Sequence, residues 1–293
     1  NRIDRIVPLD DYDVETAAHL REHLRLPGLN ESTSRFFRDK LAMRVQAQGS
    51  GLAVPPFTPV FNYDRLREFM DSVPPPWVLK PRSEAGAMGI KKCHDSEEVW
   101  RWLDQLGDAQ SFFHLEQFMP GDVYHVDSIV WGGAVATAVP HKYMRPPMNV
   151  AHDGGVFRSR TLPRDGEEAQ ALLAFNQQLL AAFGLQNGVT HAEFIRGEAD
   201  GRYYFLEVAA RVGGANTEQL IEFGSGANPW AEWAKMEVAL ARGDAYQPPA
   251  DSERFAGVAI CLARQEWPNL DGYQDSEIVC RLHKSYHAGV IVA

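Results

Sequence analysis

Glu193 lies in the segment VTHAEFIR and Glu207 in RYYFLEVAAR, with GEADG running between them. The flanks are rich in β-branched and aromatic residues and the link is polar and glycine-bearing, which predicts a β-hairpin. With the turn centred near Ala199 and Asp200, Glu193 faces a position close to Glu207 across the ladder. A slip of one residue would send one side chain to the other face. In the register that pairs them, the two Cβ atoms lie roughly 5 Å apart. Like charges that close are unfavourable, so one acid must hold a proton unless a cation sits between them. Carboxylate oxygens joined by phosphate oxygens make an ordinary Mg2+ site. The hairpin therefore points to a metal–nucleotide enzyme.

Other residues could serve the same chemistry. Lys80 ends a strand-like WVLKP and stands directly before RSEAGAMG, whose Gly86 and Gly89 would let backbone N–H groups approach phosphate closely. The lysine would add a point charge beneath that loop. The same pattern also fits a plain surface turn. It matches neither a P-loop, since no GKS or GKT follows, nor GxGxxG. Lys40, in RDKLAMR, reads equally as a solvated helix face. LEQFMPGD, with Glu116, Gln117 and Met119, is a strand and short link that either simply ends or forms a hinge whose backbone reads a ligand edge. Arg211, four residues after Glu207, could clamp a phosphoryl or carboxylate group, or merely neutralise the acids. Arg158, Arg160 and Lys142 are further candidate substrate or phosphate contacts. His191 shares a strand face with Glu193, and a structural role is expected for it. No HExxH, CxxC or Ser/His/Asp arrangement is present.

The elements that must position these residues alternate irregularly. RIDRIVPL is predicted as a strand and VETAAHLREHLRL as a helix. Residues 32–50 are predicted as one helix opened by Ser32 or Ser34. A short helix over DRLREFMDSV and an amphipathic one over SEEVWRWLDQLG follow. FFHLEQFM, VYHVDSIVW, GGAVATAVPHKY and VFRSRTL are predicted strands, with MRPPMNVAHDGG as a mobile loop. EEAQALLAFNQQLLAAFG is the clearest helix, stopped by Gly184. Two more helices precede a β-rich end. Strands in hairpins with interspersed helices predict an α+β class with mainly antiparallel sheets rather than a βαβ series.

Bulk properties set bounds. A chain of 293 residues accommodates one large domain or two to three subdomains, and 45% hydrophobic residues permit a real core. A net charge of −10 with no long cationic stripe argues against nucleic acid. No apolar run approaches the ~20 residues that span a bilayer, which argues against a membrane. Cys93, Cys261 and Cys280 are isolated and odd in number, which fits a reducing cytoplasm and no disulfide frame or zinc cluster. The sequence opens and closes on strand-like segments, which predicts further chain at one or both ends.

Taken in order, these segments resemble the ATP-grasp superfamily from about Ser32 to Gly226. RDKLAMRVQAQGSGLAVPPF is similar to its first nucleotide-lysine helix. WVLKPRSEAGAMGIKKC is similar to its second lysine and glycine loop, and HLEQFMPGDVYHVDSIV to its hinge. VTHAEFIR and YYFLEVAARVGG are similar to its two metal-binding strands. The resemblance implies an ATP-grasp fold: two α+β subdomains enclosing a nucleotide site, behind an incomplete N-terminal α/β domain. It also implies boundaries at 1–31, 32–114, 115–226 and 227–293. It assigns Lys40, Lys80, Gly86, Gly89, Glu116, Gln117, Met119 and Lys142 to ATP. Glu193 and Glu207 go to Mg2+, with Mn2+ as an alternative, and Arg211, Lys80 and Glu207 to catalysis. Two positions depart from the family: Ala209 stands where an Asn ligand is common, and Val123, preceded by Asp122, where a ribose-binding Glu is expected. Asp127 is a conceivable substitute ligand.

The tail RVGGANTEQLIEFGSGANPWAEWAKMEVALARG resembles the carboxylate–amine ligase branch, including L-amino-acid ligases. That implies a small-molecule carboxylic acid and an amine as substrates, activation through an acyl phosphate, and a cytoplasmic protein for which a homodimer stays open. Carboxyphosphate or carboxylate–thiol chemistry, or a nucleotide-binding regulator that has lost catalysis, are the alternatives.

Overall fold

Twelve strands, all in antiparallel pairs, make two sheets among the described residues of the computed structural model, which are 2–86 and 88–293. Ala87, inside the expected glycine loop, lies outside the described residues. The strands are β1 (Phe57–Pro59), β2 (Trp77–Pro81), β3 (Lys91–Cys93), β4 (Phe113–Gln117), β5 (Gly121–Trp131), β6 (Ala134–Tyr143), β7 (Phe157–Thr161), β8 (Gly188–Gly197), β9 (Tyr203–Ala209), β10 (Gly257–Leu262), β11 (Ile278–Arg281) and β12 (His287–Val292). The helices are α1 (Val14–Leu24), α2 (Glu31–Ser34), α3 (Lys40–Gly49), α4 (Tyr63–Ser72), α5 (Ser96–Leu106), α6 (Pro147–Asp153), α7 (Glu167–Phe183), α8 (Thr217–Ser225) and α9 (Pro229–Arg242).

The smaller sheet runs β1-β4-β2-β3 and packs Trp77, Leu79 and Leu115 against Leu66 and Met70 of α4 and Val99 and Leu103 of α5. The larger runs β11-β12-β10-β7-β6-β5-β8-β9. Period-2 alternation splits its central strands. Tyr124, Val126, Ala192, Phe194 and Phe205 bury one face against Leu172, Leu179 and Phe183 of α7. Full burial of each such large side chain is worth about 1.5–3 kcal/mol, and this cluster anchors the hairpin. The opposite face carries His125, Asp127, His191 and Glu193. No helix is long and apolar enough to cross a membrane among the described residues.

The α+β class with antiparallel sheets is the observed one. The segment after 226 supplies β10 to β12, which join the larger sheet where β10 pairs with β7. The boundary expected at 114/115 falls within β4, whose pairings are all in the smaller sheet.

Three local expectations are corrected. The segment RIDRIVPL forms no strand. Its backbone is instead caught by a side chain, Arg21 donating to the Ile6 carbonyl through Nε at 3.0 Å and Nη2 at 2.6 Å. The helix expected over residues 32–50 is broken into α2, a 3-10 turn at Arg35–Phe37, and α3. Neither Ser32 nor Ser34 opens α3. Asp39 caps it, accepting from the Leu41 and Ala42 backbone N–H groups, which puts Lys40 in the first turn. The stretch expected as a loop before β7 contains α6, opened by Pro147, whose fixed φ suits a first helical position.

Candidate active site

The hairpin register settles the question its sequence raised: Glu193 is paired directly with Glu207. The β8 and β9 strands are joined through residues 198–202, with a bulge just after Glu193. Both carboxylates line a cavity of about 330 Å³. Neither stands alone. Lys40 Nζ lies 2.9 Å from Glu207 Oε2 and also donates to the Glu84 carbonyl at 2.6 Å. Tyr143 donates to Glu193 Oε1 at 2.7 Å. Burial pushes the Glu207 carboxyl up, but Lys40, then Lys80 and Arg44, outweigh it and hold it below its usual value. Glu207 is thus an anion without needing a cation between the acids, because a lysine from α3 supplies the counter-charge.

Lys80, at the end of β2, lines the same cavity and pairs with Glu116 of β4. Glu116 is fully buried and is also held by Arg44 of α3, Nε to Oε2 at 3.0 Å. Burial alone would raise its carboxyl. Arg44 and Lys80 instead keep it well below the usual carboxylate range. Arg44 also donates to the Leu206 carbonyl of β9. One buried guanidinium therefore ties helix α3, the smaller sheet and the hairpin of the larger sheet together.

Gln117, Phe118 and Met119 form one wall of the cavity, and Val123, Ile195 and Leu206 an apolar floor. Pro146 to Asn149, at the start of α6, form part of its rim. Gly86 lines it. Gly89 does not, but at φ +73° its backbone passes Pro81 so closely that a Cβ would lie 2.9 Å from the proline ring. Lys142 also stands apart from the lining. Its Nζ pairs with Asp122 at 2.6 Å, on the opposite strand face from Val123. Arg158 and Arg160 are exposed on β7. Arg211 joins Lys40, His191 and Glu207 around a smaller pocket, with its guanidinium paired to Asp11 and donating to the Val212 carbonyl at 2.7 Å. The structure thus brings Lys40, Lys80, Glu116, Glu193, Glu207 and the Gln117–Met119 wall to one cavity, with Arg211 on its flank.

Sequence reasoning placed His191 beside Glu193 and named Asp127, but missed His125, His141 and the contacts that join them all behind Glu193. Asp127 lies across the ladder from His191 and accepts through Oδ1 from its Nδ1 at 2.8 Å. His125, two residues before Asp127, places Nδ1 2.6 Å from Oδ2 of the same carboxylate and Nε2 2.7 Å from Ser159 Oγ. His141 stacks on His125 at 4.5 Å. Burial drives His125 down to about 4 and lowers His141, so both are neutral near pH 7. His191 behaves oppositely. Burial disfavours its charge, but Asp127 and Glu193 outweigh burial and raise it to about 10. The ligand atoms of His125, Asp127 and His141 lie within 4.8 Å of one another. The adjacent imidazolium makes that spot unfavourable for a cation. Asp127 is therefore engaged by imidazoles rather than by the Glu193–Glu207 pair. The readable signal was YHVD, two polar residues at period 2 inside a buried strand. Arg44 was readable too, one helical turn after Lys40 on the same face.

The donor set can be tested against a bound dication. Two carboxylates from paired strands face a cavity that also holds two ammonium groups. The contacts of Glu193 with Tyr143 and His191 fall on Oε1, and none among the described residues falls on Oε2. A small oxygen-seeking cation carrying phosphate groups fits this set. Ala209, opposite His191, adds no ligand atom.

No protein-family model matches the chain. Among curated proteins it is 23% identical over 226 residues to an L-arginine-specific L-amino acid ligase of Bacillus subtilis, covering 75% of this chain and 54% of that protein. It is 24% identical over 155 residues to dapdiamide A synthase of Enterobacter agglomerans, covering 50% and 35% respectively. The chain spans about half the length of the first curated relatives it matches. Among solved structures, an L-amino acid ligase from Bacillus licheniformis superposes with a TM-score of 0.72 at 20% identity, covering 99% of this chain and 75% of that one.

Proposed function

We propose that the chain, whose fold is that of ATP-grasp enzymes, is a member of that superfamily, an ADP-forming carboxylate–amine ligase using ATP and Mg2+. The observation that carries the proposal is the convergence on one cavity of the paired acids Glu193 and Glu207 with Lys40 and Lys80. Four groups of that kind suit a polyphosphate and its dication better than any neutral ligand.

In this reading the base lies along the Gln117–Met119 wall, over the apolar floor of Val123, Ile195 and Leu206. The phosphates extend toward Lys80 and Lys40, with Gly86 allowing close backbone approach. Glu193 and Glu207 hold the cation, which when bound supplies charge neutralisation between phosphoryl oxygens. A carboxylate oxygen of the acid substrate attacks the γ-phosphorus, the bond to the β-phosphate oxygen breaks, and ADP leaves. The resulting acyl phosphate is attacked by a neutral amine. The amide C–N bond forms, the amine gives up a proton, and phosphate departs. Lys40, Lys80 and Arg211 screen the negative charge that gathers during the phosphoryl transfer. The α6 segment, at the rim, excludes water that would hydrolyse the acyl phosphate.

The L-amino-acid-ligase relatives support amino acids as the acid and amine. A panel of amino-acid pairs, scored by ADP release and by mass of the condensed product, tests this. Glu207→Gln is expected to abolish ADP release while the chain stays folded. Wild-type ADP release from that variant would sink the metal assignment, and ADP release without any condensed product would sink the ligase.

A further inference from the structure

Glu193 is gripped from behind by side chains that the proposed chemistry does not use. Tyr143, at the end of β6, donates to Glu193 Oε1 at 2.7 Å. His191 Nε2 lies 3.5 Å from the same oxygen and 3.3 Å from the Tyr143 hydroxyl. The other imidazole nitrogen, Nδ1, is fixed by Asp127 Oδ1 at 2.8 Å. Asp127 is fixed in turn by His125, and His125 by Ser159 on β7. The chain of contacts crosses β7, β5 and β8, and Asp127, His125 and Tyr143 are all buried. His191 has little freedom: Gly213 passes so close that a Cβ there would lie 2.7 Å from its Nδ1.

We propose that Tyr143, His191 and Asp127 are positioning residues that lock the Glu193 carboxylate by holding Oε1, so that it meets a divalent cation through Oε2 alone. The inference rests on the reading of Glu193 as a cation ligand. Its physical basis is geometric. A carboxylate with both oxygens free moves between one-oxygen and two-oxygen binding, whereas Mg2+ demands near-octahedral ligands at about 2.0–2.1 Å. The Tyr143 hydrogen bond on Oε1, with the His191 ring packed against the same oxygen, disfavours the second mode. Positioning matters more here because Ala209, across from His191, contributes no ligand atom that could compensate for a misplaced Glu193. Asp127 acts only through His191. It orients the ring so that Nε2, not Nδ1, faces Glu193, as outer partners of metal ligands commonly do.

The test reads cation binding rather than turnover. Mn2+ affinity of the protein with ADP present is measured by the paramagnetic resonance signal of free Mn2+. Removing an outer hydrogen-bond partner of this kind typically weakens metal binding about 10–100-fold, so Tyr143→Phe and Asp127→Asn are each expected to lose about tenfold or more in Mn2+ affinity. Metal-free ADP binding is expected to be unchanged. The double variant is expected to fall well short of the sum of the two losses, because both act through one carboxylate. Glu193→Gln is the reference and loses most. Thermal melts without metal establish that each variant is folded at the working temperature. Should Asp127→Asn fail to fold, Tyr143→Phe carries the test, since it removes a single oxygen. Wild-type Mn2+ affinity in folded Tyr143→Phe, with Glu193→Gln impaired, overturns the positioning role alone. Wild-type affinity in Glu193→Gln overturns the cation reading and this inference with it.

Discussion

Arg44 and Glu116 form an ion pair with essentially no exposed surface, Nε to Oε2 at 3.0 Å, although 72 residues separate them. Because Arg44 also reaches the Leu206 carbonyl, the pair couples α3 and β4 to the strand that carries Glu207. Removing one partner of such a pair leaves a buried charge. Arg44→Met is expected to cost about 3–5 kcal/mol, read from urea unfolding. The pair also makes stability depend on acid. The folded carboxyl of Glu116 sits well below its ordinary value of 4.5, so below 4.5 the unfolded chain takes up a proton that the folded one refuses. This contribution is complete above 4.5 and is lost as pH falls toward the folded value. In Arg44→Met that acid-dependent slope shrinks, which unfolding curves between pH 6 and pH 3 would reveal.

Lys80 pairs with Glu116, and in the proposed function it also meets nucleotide phosphate. Charged hydrogen bonds are worth about 1.5–3 kcal/mol, so Lys80→Ala is expected to weaken ATP binding by roughly 10–150-fold. Equilibrium binding of a fluorescent ATP analogue measures it. Unchanged ATP affinity and turnover would make Lys80 a purely structural partner of Glu116.

Gly121 stands where the Gln117–Met119 wall gives way to β5. A Cβ there would lie 2.0 Å from the Arg196 carbonyl oxygen, a backbone atom that cannot step aside. Gly121→Ala therefore forces β5 away from β8 beside the cavity. A loss of about 3 kcal/mol is expected, at the upper end for overpacking, together with impaired nucleotide binding. A melting temperature within a degree of wild type would refute the close approach.

The thiols are expected to separate cleanly. Burial, aided by Glu98 and Asp95, pushes Cys93 up to about 11. Cys261 and Cys280 are partly exposed. At pH 8, Ellman's reagent is expected to label Cys261 fastest and Cys280 more slowly, and Cys93 only after unfolding, since the thiolate is the reacting species. Rapid labelling of Cys93 in the native protein, located by peptide mass, would contradict its burial.

Much of the architecture was legible because it is written in local pattern. The GEADG turn and its β-branched flanks define the hairpin and bring Glu193 close to Glu207, but the register stayed open by one residue until the structure, with its bulge after Glu193, paired the two. The amphipathic runs of α5 and α7, and the strand alternation, fix the α+β class by the same local physics. Pattern failed where the partner is remote. The segment RIDRIVPL has strand composition but pairs with no strand among the described residues, and Arg21 claims its backbone instead. Residues 32–50 look continuous until Asp39 caps a fresh helix, and that cap is what aims Lys40 at Glu207. Glu116, expected to line the nucleotide site, does line the cavity, but its carboxylate is drawn to Arg44 and Lys80. No sequence spacing encodes that choice, because a buried carboxylate takes whichever cations the packed sheets bring within reach. So the sequence by itself determined which acids and lysines could do the chemistry and on what elements they ride. Only the tertiary structure decided which charge neutralises which, and placed the buried chain from Asp127 through His191 behind Glu193. Such pairings depend on distances between strands and helices far apart in sequence, and on the exclusion of water that makes each pairing obligatory.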